Sequence, residues 1–146
     1  MSKVLTLKEA KSPAIEIHRQ AIKAKKLVYL VVMNKAIKYP HGRSKIAYIG
    51  TTASGIDRIA SSGAARAKNL LLEHGQKGLK LFVVTCSTRQ GLKSGERKLE
   101  AALILNFKRE FGQVLKGNTQ GKNVSKTAAS QWFSEARLRK VIENYS

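Results

Sequence analysis

Residues 27–33 read Leu-Val-Tyr-Leu-Val-Val-Met, and residues 45–50 read Lys-Ile-Ala-Tyr-Ile-Gly. Both runs are short and rich in β-branched and aromatic residues, as buried strands are. Between them, Asn34–Ser44 holds Pro40 and Gly42 among polar side chains. That stretch reads as a loop or turn joining the two strands into an antiparallel hairpin with a long connection.

The rest of the chain is arranged around that pair. Helical spacing of apolar residues runs from Ile56 to about His74, and Ser61, Ser62 and Gly63 mark a place where the helix could divide. Gly75 ends it. Leu79–Cys86 reads as a third strand and Ser87–Ser94 as a polar connection. Gly95–Glu110 reads as an amphipathic helix, with Leu99, Ala102, Leu103 and Phe107 near its apolar face and Gly112 as its stop. Residues 112–127 are loop-like, and Ala128–Tyr145 is expected to be helical with Trp132, Phe133, Ala136, Leu138, Val141 and Ile142 turned to the core. Upstream, Ile15, Ile17 and Ile22 follow Ser12 and Pro13 at helical spacing, which predicts an N-terminal helix over residues 8–26. The expected fold is α+β: a small three-stranded mixed or antiparallel sheet flanked by helices, one domain over residues 1–146 with its core at about 27–123.

Charge narrows the function. The 146 residues carry 28 Lys and Arg against nine Asp and Glu, a formal +19 with pI near 10.4. A domain so charged repels itself, so a polyanionic partner is expected, and nucleic acid is the natural one because each neutralised phosphate releases counterions. A hydrophobic fraction of 42% argues against a disordered chain. The lone Cys86 excludes an internal disulfide and a cysteine zinc cluster. It sits in an apolar run, where a buried core thiol is the expected role. No run of 18 apolar residues suggests a membrane span, and charged residues interrupt the first thirty positions, so an intracellular (cytoplasmic) protein is expected.

The pair LVYLVV (27–32) and AYIGTT (47–52) resembles the two strands that name the GIY-YIG endonucleases. Tyr48-Ile49-Gly50 matches the second motif literally, while Leu27-Val28-Tyr29 keeps the first motif's tyrosine without its glycine. Arg58 in GIDRI stands at the spacing of the family's helical arginine. Leu99-Glu100-Ala101-Ala102-Leu103-Ile104 matches the LExxLI helix that carries its glutamate, and Asn118 in FGQVLKGN matches its late asparagine, with Asn123 as a competitor.

The resemblance implies phosphodiester hydrolysis. Tyr29 and Tyr48 would position the attacking water, and the resemblance implies Tyr29 as its base; a phenol, with a reference pKa near 10, needs a cation's help in that role. Arg58 would fork onto the scissile phosphate, with Arg66 as a second candidate. Glu100 would hold one Mg²⁺ (or Mn²⁺), since such an ion often takes only one or two carboxylates plus waters and substrate phosphate; Glu96 is the alternative carboxylate. His41 could share in proton transfer. Lys35, Lys38, Arg43, Arg66, Lys116 and Lys122 are candidate nucleic-acid contacts, which would supply affinity more than sequence preference. The expected substrate is double-stranded DNA, with a restriction, mobile-element or repair role, and cutting both strands with one site per chain would call for a homodimer. The alternatives are a non-catalytic basic nucleic-acid-binding module and an RNA-cleaving nuclease.

Overall fold

Strand β1 (Leu27–Tyr39) pairs antiparallel with β2 (Gly42–Thr52), helix α1 (Ile56–Glu73) follows, and β3 (Leu79–Val84) returns to the other edge of β1. Helices α2 (Gly95–Phe111) and α3 (Glu135–Tyr145) complete the order. This is a computed structural model, and it describes residues 4–86, 94–118 and 132–146. Among the described residues the sheet has three strands, ordered β2-β1-β3 and wholly antiparallel. The α+β class expected above is thus observed.

The register explains which side chains meet. Tyr29 stands opposite Gly50 on β2 and Val83 on β3, and Val31 stands opposite Tyr48 and Leu81. Alternation puts Tyr29 and Val31 on one face of the sheet and Val28 and Leu30 on the other. Helix α1 covers the first face, where Gly63 lies so close to Leu81 that an added Cβ would come within 3.0 Å of its side chain. Helix α3 meets the second face, its Tyr145 ring 4.7 Å from that of Phe82, and α2 packs against α3, β1 and β2.

The hairpin is longer than expected. Asn34–Ser44 is not a loop: pairing resumes at Ile37–Ser44, Lys38–Arg43 and Tyr39–Gly42, after an irregularity between Val32 and Ile37 that shifts the register. Only Pro40 and His41 turn. The cause is aromatic packing. Tyr39 is buried with its ring 4.9 Å from Phe107 and 5.8 Å from Phe111, and its hydroxyl donates to the Ile46 carbonyl at 2.8 Å.

Three further expectations are corrected. Residues 8–26 form no helix; Ile15 and Ile17 are 78% and 82% exposed, and Ile22 packs on the core. A short helix is marginal in water unless an apolar face is buried, and of that face only Ile22 reaches the core. The segment is tethered by the Arg19–Asp57 ion pair and by the Gly55 N–H donating to the Lys25 carbonyl. Helix α1 is continuous through Ser61–Gly63, because the small residues there allow the approach to β3. The C-terminal helix is broken: Trp132 is helical, Phe133 and Ser134 leave the helix, and α3 begins at Glu135. Leu138 and Ile142 reach the core as expected, whereas Trp132 is 45% exposed and Ala136 faces out. Residues 128–131 lie outside the described residues. Among those described, no helix is long and apolar enough to cross a membrane.

Phe107 joins α2 to the far half of the hairpin, stacked at 4.5 Å on Phe111 and fully buried. Phe107→Ala is expected to cost about 3–5 kcal/mol of unfolding free energy in urea denaturation. A loss below about 1 kcal/mol would mean that this aromatic cluster does not hold the hairpin to α2.

Candidate active site

The candidate residues gather where β1 begins and β2 ends, over Gly50. The Tyr29 and Tyr48 rings lie 5.8 Å apart and tilted by 42°. A Cβ on Gly50 would stand 2.5 Å from Tyr48 Cε1 and 2.8 Å from Tyr29 Cζ. Only glycine leaves the two phenols room to approach each other, which gives the Tyr-Ile-Gly run a steric reason independent of any resemblance.

Each phenol has a partner on α1. Tyr29, 4% exposed, shares a hydrogen bond of 2.8 Å with Ser62 Oγ. The Arg66 guanidinium carbon lies 3.5 Å from the centre of the half-buried Tyr48 ring, within cation–π range. Arg66 Nη1 also donates to the Gly117 carbonyl at 3.3 Å. Arg58 is exposed and lines the same cleft as Ser62 and Arg66, with Lys116 and Gly117 on the opposite wall.

Glu100 is 3% exposed on α2. Of the influences on the Tyr48 hydroxyl, Glu100 is the smallest and acts to raise it. Burial raises Tyr48 most; the Tyr29 hydroxyl and Glu100 add to this, and the Arg66 charge opposes it, leaving the group pushed up from 10.0 to about 12. At neutral pH Tyr48 is therefore a neutral hydroxyl, suited to donating a hydrogen bond and in need of a nearby cation before it could accept a proton. Glu96, the alternative carboxylate, acts instead on Cys86, whose thiol is raised first by burial and then by that charge.

Asn118 is used by the backbone. Its Nδ2 donates to the Ile49 carbonyl at 3.0 Å, and its Oδ1 accepts the Ile49 N–H at 3.1 Å. The Gly117 N–H donates to the Ala47 carbonyl at 2.7 Å. Together they clasp the outer edge of β2 and hold Tyr48 and Gly50 on either side of Ile49, a positioning role.

Other candidates lie elsewhere. His41 precedes Tyr48 by seven residues of extended chain, roughly 20 Å at strand rise. Its N–H donates to the Phe111 carbonyl, and the structure does not bring it to the phenols. Lys35, Lys38 and Arg43 are exposed on that same far half of the hairpin, Arg43 donating to the Ala36 carbonyl at 3.0 Å. Lys122 and Asn123 lie outside the described residues.

Sequence reasoning missed Ser62 as a partner of Tyr29, having marked it only as a helix break. The signal was present: Arg58, Ser62 and Arg66 recur every four residues, which places them on one helix face. Asn69, on the same wall, was also missed.

Among the described residues, no group of three His, Cys, Asp or Glu could hold a metal ion. A hard divalent cation that keeps several waters needs fewer ligands than that, and the single buried carboxylate of Glu100 is compatible with such an ion. Compared with protein-family models, with curated proteins and with solved structures, the chain finds no match.

Two expected outcomes follow from this geometry. Gly50→Ala should force the phenols apart and abolish ring-to-ring nuclear Overhauser effects between Tyr29 and Tyr48; an unchanged ring pair would refute the close approach. Tyr48 and Tyr39 are both pushed from 10.0 to about 12, chiefly by burial. The unfolded chain loses these protons near pH 10 and the folded chain near pH 12, so their contribution is full below pH 10 and is lost as pH rises from 10 to 12. Absorbance titration at alkaline pH should show two tyrosines ionising late, together with falling stability. Four tyrosines all titrating near pH 10 in the folded state would contradict the burial.

Proposed function

We propose that the chain is a metal-dependent endonuclease that hydrolyses phosphodiester bonds, with DNA as substrate. The observation that carries this reading is the convergence of two phenols over Gly50 with a guanidinium stacked on Tyr48, in a chain that also buries the Glu100 carboxyl on α2. The net charge of +19 supports a polyanionic substrate. The resemblance of LVY, YIG, Arg58 and the LEAALI helix to the GIY-YIG endonucleases supports the reaction class.

Each residue then has a distinct part. Arg58 and Arg66, on one wall of the cleft, orient the phosphates of the bound strand. The Tyr48 hydroxyl, held neutral by burial, donates a hydrogen bond to a reacting oxygen. The Tyr29 hydroxyl, oriented by Ser62, positions the attacking water. Glu100 would hold a Mg²⁺ or Mn²⁺ ion, which when bound supplies positive charge to the phosphoryl oxygens and makes the attacking water more acidic. Asn118 keeps the edge of β2 in place. Lys35, Lys38 and Arg43, well away on the hairpin, would grip the duplex further along. Two copies of the chain would be needed to cut both strands together.

Supercoiled plasmid incubated with Mg²⁺ should be nicked or linearised. EDTA should stop the reaction, and Glu100→Gln should lower the rate by at least about 100-fold while DNA still binds. DNA that is retarded but intact under all conditions, on RNA as well as on varied DNA sequences, would instead support a basic binding module.

A further inference from the structure

The cleft between α1 and the 115–118 turn has features that hydrolysis at the phenols alone does not require. It is an open groove of about 460 Å³, far larger than a bound water or ion needs. Arg58 and Arg66 enter it from the helix and Lys116 from the turn, and Ser62 and Asn69 add neutral polar groups. Glu73 is the one carboxylate on its wall among the described residues.

Arg66 is the decisive residue. Its face is pinned on Tyr48 and its Nη1 on the Gly117 carbonyl, so the guanidinium plane is held before any ligand arrives. Its Nε is buried and has no hydrogen-bond partner. A guanidinium held in this way keeps its remaining donors aimed and loses little entropy when an oxyanion binds. Arg58 and Lys116 are exposed, the Lys116 ammonium lying 5.7 Å from the centre of the Tyr39 ring, and both flank the same cleft.

We propose that this cleft is a phosphate-binding site, distinct from Glu100, that takes the phosphate of the nucleotide next to the scissile bond and does so without a divalent cation. It rests on the nuclease reading for the identity of the strand, but the binding itself does not need catalysis. Because Arg66 touches both the cleft and Tyr48, occupation of the site is felt at the phenol pair. Correct seating of the flanking phosphate thereby aligns the reacting one.

The test uses the whole chain in EDTA, titrated with inorganic phosphate, with thymidine 5′-monophosphate and with the diester dinucleotide TpT, and followed by ¹H–¹⁵N NMR. Shifts are expected at the Ser62, Arg66 and Gly117 amides and at the Arg66 Nε–H. Arg66→Met, and separately Lys116→Gln, should weaken binding about tenfold, as loss of one charge-assisted contact does. Lys116→Gln and Arg58→Gln change exposed side chains, so they keep the test valid if Arg66→Met fails to fold. Glu100→Gln should bind at least as well as the parent. The ratio of monophosphate to TpT affinity tells whether the seated group is a strand end or an internal diester, and binding of either supports the site. Absence of shifts in the cleft, or equal affinity in Lys116→Gln, Arg58→Gln and the parent, would overturn it. If plasmid is cleaved but no phosphate binds, this inference fails and the nuclease reading stands. If phosphate binds but no nucleic acid is cut, the reverse holds.

Discussion

Strand β1 has no solvent face from Leu27 to Met33. Each large apolar side chain buried there contributes about 1.5–3 kcal/mol, but only if both faces of the strand are covered and both of its edges are paired. The rest of the structure answers that demand. β2 and β3 take the two edges, α1 takes the face that carries Tyr29 and Val31, and α2 with α3 closes the hairpin and the opposite face. The same constraint creates the site. Because Tyr29 lies in the central strand, its ring can only point at α1, and the residue opposite it on β2 must be small enough to let a second phenol lean in.

Basic residues are distributed in a way the total charge does not reveal. One group lies on the far half of the hairpin, where Lys38 and Arg43 face each other across the strands. Another lines the cleft beside the phenols, where Arg66 is pinned in one orientation. Mobile surface cations serve general attraction to phosphates, whereas a guanidinium held by stacking and a carbonyl keeps its donors aimed and loses little entropy on binding. The two groups lie toward opposite ends of one hairpin.

Several elements were legible in the sequence because local rules governed them. The two strand cores, α1, β3 and α2 announce themselves by alternation or by helical spacing, and Gly75 and Gly112 mark where helices stop. The elements misread were those decided by remote contacts. Ile37 and Tyr39 extend β1 because Phe107 and Phe111, nearly seventy residues on, provide a surface for the tyrosine ring. The stretch at 8–26 has helical spacing but, Ile22 apart, no surface to pack against, and periodicity alone does not supply one. Trp132 and Phe133 continue an apolar pattern across a break in the helix that the pattern cannot show.

For the site, the sequence by itself determined the chemical inventory: two tyrosines in strands, a glycine two residues after the second, two arginines eight positions apart on one helix, a glutamate in an apolar helical face, and an excess of positive charge. These are matters of residue type and spacing along a regular element, which the chain carries with it. Tertiary structure alone decided which of them meet. It set Ser62 on Tyr29 and Arg66 on Tyr48, and it used both ends of the Asn118 amide to clasp Ile49. It also left His41 at the distant turn of the hairpin. The physical reason is that helix spacing fixes which residues share a face, while the height at which that face docks on a sheet depends on packing between residues far apart in sequence, here Gly63 against Leu81.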